Sequence, residues 1–402
     1  MAAPTSFDSL LPEAEDLQFE TIRLRRDLHQ IPELGLDNPR TQERLLGSLD
    51  GLGLDIRTND ACSGIMAVLE GEHHGPTILL RADMDALPLH EDTDIAYKSR
   101  TEGQMHACGH DLHVSMLTGA ARLLNDRRKD IHGRVLFMFQ PGEEGFAGAK
   151  AMLEEGMLEI AGPVTKAFAI HVMTVAPSGV VALKAGAVMA SSDEFRVIVH
   201  GRGGHASAPH HALDPIPVAC EIVLAMQTMV TRRIDAFDPG VITVGQIRAG
   251  TTNNVIPPNA EIVGTIRAVS ERTRAKLLDG IQRVADGIAS AHEATAEVSF
   301  GDHGYPVTIN NDDVANEVLQ VAENLFGPGR TIRTKQPVMG AEDFSYVLQR
   351  VPGAMAFLGA TPPGVDPFTA APNHSNLVNF DEAAMSTGVA LYSAMALNHL
   401  AG

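Results

Sequence analysis

The chain has no tryptophan and only three cysteines, Cys62, Cys108 and Cys220. Three thiols cannot build a disulfide framework, and they fit a reducing cytoplasm. No apolar run approaches the roughly 18 residues that a membrane span needs. The acidic start, residues 1–20, lacks the basic stretch followed by an apolar one that marks a secretory signal. Positive charge is also scarce. Lys and Arg number 31 against 50 Asp and Glu, a formal charge of −19. That balance argues against a nucleic-acid or anionic membrane surface as partner, while leaving small anionic substrates open. What remains is a globular composition: 402 residues, 44% hydrophobic, room for two or three domains. The 17 histidines are a generous stock of metal ligands and proton carriers.

Apolar runs alternate with helix-period stretches over most of the chain, which predicts an α/β fold. Helices are expected over 18–30 and 41–53. Strands are expected at Gly64–Leu69, Thr77–Arg81, Arg134–Gln140 and Lys166–His171, with an amphipathic helix from Leu112 to Leu124 between the middle two. This order predicts a doubly wound domain with a mostly parallel sheet. Near residue 188 the pattern changes. Glu194–His200 alternates with period two, a Gly-rich turn follows, and a helix is expected from Asp214 to about Val230. Alternating strands at Val241–Ile247 and Ala260–Val269 precede a helix from Glu271 to about His292. The β-α-β-β-α run is close to half of a ferredoxin-like unit. Residues 189–303 therefore read as an inserted α+β domain, and 1–188 with 304–402 as the discontinuous domain around it. Helices over Asp312–Phe326 and Asp381–Leu400 close the chain, with loops at 327–340 and 359–376.

Four apolar strands run into polar loops rich in metal-capable groups. Leu79–Arg81 leads to Asp83 and Asp85. Met105–Asp111 (MHACGHD) supplies Cys108 and His110 ahead of the Leu112 helix. Arg134–Gln140 leads to Glu143 and Glu144, and Lys166–Ile170 ends on His171. In an open α/β sheet the carboxyl ends of the strands line one crevice, so these loops are expected to converge. Cys108 and His110 are two apart and would face the same side of an extended segment. The helix start after them would favour thiolate over thiol. Thiolate, imidazole and carboxylate together suit Zn²⁺, with Mn²⁺ or Co²⁺ as alternatives. Of the adjacent Glu143 and Glu144, one suits ligation and the other a free base beside activated water.

The chain resembles the M20-type metallo-amidohydrolases, in the branch with hippurate hydrolases, N-acyl-amino-acid aminoacylases and auxin-conjugate hydrolases. The resemblance runs through Arg26–His29 with Pro32–Gly35, Arg81–Pro88, His106–Asp111, Gln140–Gly145, Gly203–Ala206, Asn254–Pro257, Gly264–Arg267, Met339–Phe344 and His374-Ser375. It implies two divalent cations on Cys108, His110, Glu144, His171 and His374, bridged by Cys108 and a hydroxide. It implies Glu143 as general base and Asp83 and Asp85 as residues that orient the ligands. It implies that the inserted domain is a lid that forms a homodimer, with His205 reaching the partner's site to receive the oxyanion. Asn254 and Arg267 would hold the substrate, Arg267 by its carboxylate. The substrate implied is an N-acyl amino acid, with a dipeptidase or carboxypeptidase using the same site as the alternative. Two positions depart from the family pattern: Gly142 stands where Ala is common, read as a looser turn, and Asn376 stands where Pro follows Ser, read as a less rigid loop.

Read without the resemblance, several of these residues fit plainer roles. Cys108 could be a small buried thiol, His171 a core histidine, His205 part of a tight turn, and Arg267 half of a surface ion pair. A cysteine nucleophile with a His base, or a non-catalytic binding protein, are the rival functions.

Overall fold

The computed structural model describes residues 7–401; residues 1–6, part of the acidic N-terminal stretch, lie outside the described residues. The described chain divides into two units. One runs to Val188 and resumes over Ile309–Gln336 and from Asp343; the other comprises Met189–Thr308 and Pro337–Glu342.

The first unit is built on an eight-stranded sheet. Its first six strands are β1 (Asp55–Thr58), β2 (Ile65–Glu70), β3 (His73–Asp83), β4 (His132–Gln140), β5 (Val164–Met173) and β6 (Val181–Leu183), joined by Thr331–Arg333 and Gly353–Gly359. In space the order is β1-β2-β4-β3-β5, then Gly353–Gly359, β6 and Thr331–Arg333. β4, β3, β5 and Gly353–Gly359 run parallel, so their carboxyl ends share one edge of the sheet. The segment Gly353–Gly359 (GAMAFLG) was not expected as a strand. It has no β-branched residue, yet every position is buried. Both terminal glycines are needed: a Cβ at Gly353 would stand 2.4 Å from the Ala167 carbonyl oxygen, and one at Gly359 2.0 Å from that of Pro177.

Two helices lie in the core of this unit, His110–Asp126 and Ala384–His399, the first starting two residues before Leu112. Both are buried nearly all round; the second is apolar on most faces, whereas the first also buries His110, Asp111 and His113. Tyr392 ties the second helix to the sheet. Its hydroxyl donates to the Arg81 carbonyl of β3 at 2.7 Å and accepts from the Ile170 N–H of β5 at 3.0 Å. The start of the first helix is anchored by buried charge. Asp111 Oδ2 lies 2.8 Å from Arg25 Nε and 2.7 Å from His29 Nδ1.

The second unit has a four-stranded antiparallel sheet in the order Gly240–Ala249, Asn259–Ala268, Asp193–His200, Thr295–Phe300. Helices Pro215–Arg233 and Glu271–Ala291 pack on it, with Val218, Ile222, Leu277 and Ile281 against Phe195, Val197 and Ile262. Asp214 and Ser270 cap these helices, accepting from Ile216 N–H at 3.0 Å and Thr273 N–H at 3.1 Å. The strand Thr295–Phe300 was not foreseen, and it completes a β-α-β-β-α-β run. This unit reaches past residue 303. Ala190 N–H donates to the Val338 carbonyl at 3.0 Å, and Thr308 Oγ1 donates to that of Glu342 at 3.3 Å, drawing 337–342 into it.

Among the described residues no helix is long and apolar enough to cross a membrane. Tyr392→Phe leaves a buried N–H and a buried carbonyl each short of a partner. It should lower unfolding free energy by about 1–3 kcal/mol in urea titration, with the far-UV spectrum unchanged.

Candidate metal centre

The parallel strands deliver their following loops to one edge. Asp83 ends β3, Gln140 ends β4 three residues before Glu143, and His171 lies two residues before the end of β5. Cys108 and His110 flank the start of the His110 helix. His374 sits in the irregular chain after Gly353–Gly359. These five ligand candidates come together. His171 Nε2 is 3.4 Å from Cys108 Sγ, His374 Nε2 is 3.3 Å from the same sulfur, and His374 Nε2 is 3.2 Å from Glu144 Oε1. His110 Nε2 lies 4.0 Å from Glu144 Oε1.

The donor atoms form two triads that share one sulfur: Cys108, His110 and His171, and Cys108, Glu144 and His374. Within each, the atoms lie within 4.8 Å of one another. Tetrahedral donors on bonds of about 2.0–2.3 Å stand somewhat over 3 Å apart, so these spacings suit a cation. His110 Nε2 is buried without a hydrogen-bond partner among the described residues, and the buried Glu144 Oε1 meets only other members of the cluster. Such buried polar atoms are costly unless something binds them. The residues present therefore fit a pair of divalent ions. His374 is more than half exposed, which leaves a way in.

Neighbouring groups aim these ligands. His110 Nδ1–H donates to the Asp85 carbonyl at 2.8 Å and His171 Nδ1–H to the Val172 carbonyl at 2.8 Å, so both present Nε2 to the cluster. The Asp85 carboxylate accepts from Glu143 N–H at 3.0 Å and Glu144 N–H at 3.1 Å, clamping the turn that carries both glutamates. Asp83 is engaged by Arg81 at 2.6 Å and His113 Nδ1 at 2.5 Å. His113 Nε2 in turn accepts from Val172 N–H at 2.8 Å, linking β3 to the strand that carries His171. Sequence reasoning missed His113; its place three residues after His110, one helical turn on, was the signal available. The carboxylates of Glu143 and Glu144 group with His110 within 4.8 Å.

Burial pushes His171 down to about 3, which keeps its ring neutral and its lone pair free. His374 is pushed up to about 10 by its contacts with Cys108 and Glu144. Burial would push Glu144 up, but His374 and His110 hold it below the usual carboxylate range. Protons on histidine here balance charge that a bound cation can balance instead.

Two sequence expectations about local structure need correction. Cys108 and His110 do not share a face through an extended segment: Gly109 between them has φ +90°, and the turn it makes brings them together. A Cβ there would stand 2.4 Å from Val172 Cγ2, so only glycine fits. Nor does the helix start decide the state of the Cys108 thiol, because burial and then Glu144 push it up. The two departures from the family pattern also look different in place. Gly142 has φ +71° and a Cβ on it would stand 2.6 Å from Leu36 Cδ2, so the turn favours glycine and any larger residue would have to displace Leu36. Asn376 accepts at its carbonyl from Asp92 N–H at 2.9 Å and bonds the Asp92 carboxylate through its side chain, tethering the His374 loop.

His205, Asn254 and Arg267 belong to the second unit. His205 pairs with Val255, and Ala206 N–H donates to the Asn254 carbonyl at 3.1 Å, so His205 and Asn254 are neighbours. His205 Nδ1 accepts from Ser207 N–H at 3.1 Å, which leaves Nε2 available. Arg267 lies near the other end of Asn259–Ala268, about 26 Å along the strand from Asn259 at roughly 3.3 Å per residue. It makes no ion pair among the described residues, because Arg274 takes both oxygens of nearby Asp193, at 2.8 and 2.7 Å. Burial lowers its pKa, the mark of a guanidinium short of a counter-charge.

A family model described as Peptidase family M20/M25/M40 matches residues 79–398. The chain is 38% identical to "Thermostable carboxypeptidase 1" of Saccharolobus solfataricus over 393 residues, 97% of this chain and 98% of that protein. It is 37% identical to "IAA-amino acid hydrolase ILR1-like 2" of Arabidopsis thaliana, over 94% of this chain and 85% of the other. The crystal structure of the Bacillus subtilis YXEP protein, described as a dinuclear metal binding peptidase of the M20 family, superposes with a TM-score of 0.82 at 31% identity. That match covers 96% of this chain and 99% of the other. Motifs, fold and donor cluster thus agree with all three comparisons: the chain belongs to peptidase family M20/M25/M40 and is a metal-dependent amide hydrolase.

Proposed function

We infer that the protein hydrolyses the amide bond of N-acyl amino acids. The observation that carries the reading is the pair of donor triads sharing Cys108, set beside a glutamate whose main chain is clamped by Asp85. Cys108, His110 and His171 would hold one divalent cation, and Cys108, Glu144 and His374 the other, with Zn²⁺, Mn²⁺ and Co²⁺ as candidates. Bound there, the cations would polarise the amide carbonyl and bring the pKa of a water from about 15.7 towards 7.

The rest is work for the chain's own side chains. Glu143 takes the proton of the attacking water and returns it to the leaving nitrogen. Asp85 fixes the position of Glu143, and Asp83 fixes His113 and, through it, the strand end at His171. His205 receives the oxyanion through its available Nε2. Arg267, half-buried without a counter-ion, pairs with the substrate carboxylate, and Asn254 helps hold the substrate. Within one second unit, His205 and Arg267 stand near opposite ends of a strand, too far apart to grip one small molecule. That distance supports a homodimer in which His205 acts on the partner's substrate and the unit serves as a lid. The three cysteines are free, which fits a cytoplasmic setting.

A carboxypeptidase or dipeptidase reading is favoured by one finding, the 38% identity to a protein named as a carboxypeptidase. Arg267 would serve a peptide carboxylate equally well. Acetyl-, benzoyl-, indolyl- and long-chain-acyl amino acids assayed beside free-amine dipeptides separate the two. Preference for the blocked substrates supports the amidohydrolase, and a required free amine overturns it.

Glu143→Gln should retain both cations and lose about 10²- to 10⁴-fold in kcat. Full turnover would remove it as base. Cys108→Ala should lower the bound metal measured by atomic emission, since both triads lose their shared donor; unchanged stoichiometry would refute ligation. Mixing His205→Ala with Glu143→Ala subunits should restore at most about a quarter of wild-type activity if His205 works across a dimer. Each mixed dimer then keeps one complete site; no recovery would assign His205 to its own chain.

A further inference from the structure

One side chain outside the ligand set touches the framework of three ligands at once. Asn373 Nδ2 donates to the Cys108 carbonyl at 3.1 Å and to the Val172 carbonyl at 3.0 Å. Asn373 Oδ1 accepts from Thr174 N–H at 3.4 Å, a longer contact. The Val172 carbonyl is the one that receives Nδ1–H from His171, so the group that orients the His171 ring is itself held by Asn373. The next peptide continues the link, His374 N–H donating to the Ala107 carbonyl at 2.9 Å. His374 has φ +69°, a left-handed backbone that residues other than glycine resist. Something must hold it there.

The three segments share no ladder. Cys108 precedes a helix, Val172 lies at the end of β5, and residue 373 is in irregular chain. A primary amide suits the junction because its one nitrogen carries two N–H donors, enough for both carbonyls, while the oxygen can still accept. A hydroxyl offers a single donor, and a carboxylate offers none and would repel both carbonyls.

We propose that Asn373 is a positioning residue of the metal centre, setting the separation of Cys108, His171 and His374 so that one sulfur can serve both donor triads. The inference rests on the two-cation reading above. It does not concern the chemistry of hydrolysis, since Asn373 acts through the ligands.

The test uses the full-length protein loaded with Zn²⁺ or Co²⁺. Affinity is read by competition with a chelator, and the near-ultraviolet thiolate-to-cobalt band reports the bond to Cys108. Asn373→Ala and the isosteric Asn373→Asp should each lose about 10- to 100-fold in affinity for at least one ion and weaken that band. Asn376→Ala removes the side-chain bond of the same loop to Asp92, away from the ligand segments, and should stay within about twofold of wild type on the scale set by loss of an outer-shell partner. If Asn373→Ala does not fold, Asn373→Asp keeps the shape and carries the test. Wild-type affinity and an unaltered band in a folded Asn373→Asp would overturn the inference alone. An equal loss in Asn376→Ala would also overturn it, because any tether of the loop would then do. Wild-type protein that binds fewer than two ions would overturn the two-cation reading and this inference with it.

Discussion

The first unit depends on charge buried at the end of its central strand. Arg81, Asp83 and Asp85 lie within five residues of β3 and its exit, all buried. Buried ions are unfavourable unless every one finds partners. Arg81 finds Asp83 at 2.6 Å, Asp343 at 3.0 Å and Gln140 at 2.8 Å. Asp83 finds His113, and Asp85 finds the two glutamate N–H groups. Apart from the Arg81–Asp83 pair within β3, the partners come from β4 and its exit, the His110 helix and the chain at Asp343. Satisfying three charges therefore fixes where β4's exit, the His110 helix and the chain around Asp343 must stand, and Glu144, Cys108 and His110 are carried on or beside the first two of these.

Much of this was legible in the sequence because it follows from one rule of open α/β sheets. An apolar strand followed by polar, metal-capable residues is readable locally, and parallel strands bring such loops to a common edge. That was enough to gather Cys108, His110, Glu144 and His171. The strand Gly353–Gly359 escaped because it has no β-branched residue and no alternation, and its end glycines read as loop; those two are there because neighbouring backbone comes too close for a Cβ. Gly109 escaped for a similar reason. Its positive φ, which folds Cys108 and His110 together, is a property of backbone packed against Val172, and spacing in the sequence does not encode it.

The residues that aim the ligands were harder still. His113 and Asn373 work through main-chain groups of Val172 and Cys108, and such partners have no sequence signature. Arg267 illustrates the reverse case. Its period-two strand allowed an ordinary surface ion pair, and only the placement of Arg274 on Asp193 leaves it without one. In the second unit, too, the pattern showed helices and strands well, while the final strand Thr295–Phe300, short and half-exposed, fell below notice.

The span of chain that separates the cluster's members has a consequence for biogenesis. Cys108 and His374 touch across 266 positions of sequence. The donors Cys108, His110 and His171 are all made long before His374, so the two triads cannot be completed together on a growing chain. On the proposed reading one cation can be held early, and the second only when His374 has folded back onto Cys108, so the order of metal loading follows the order of folding.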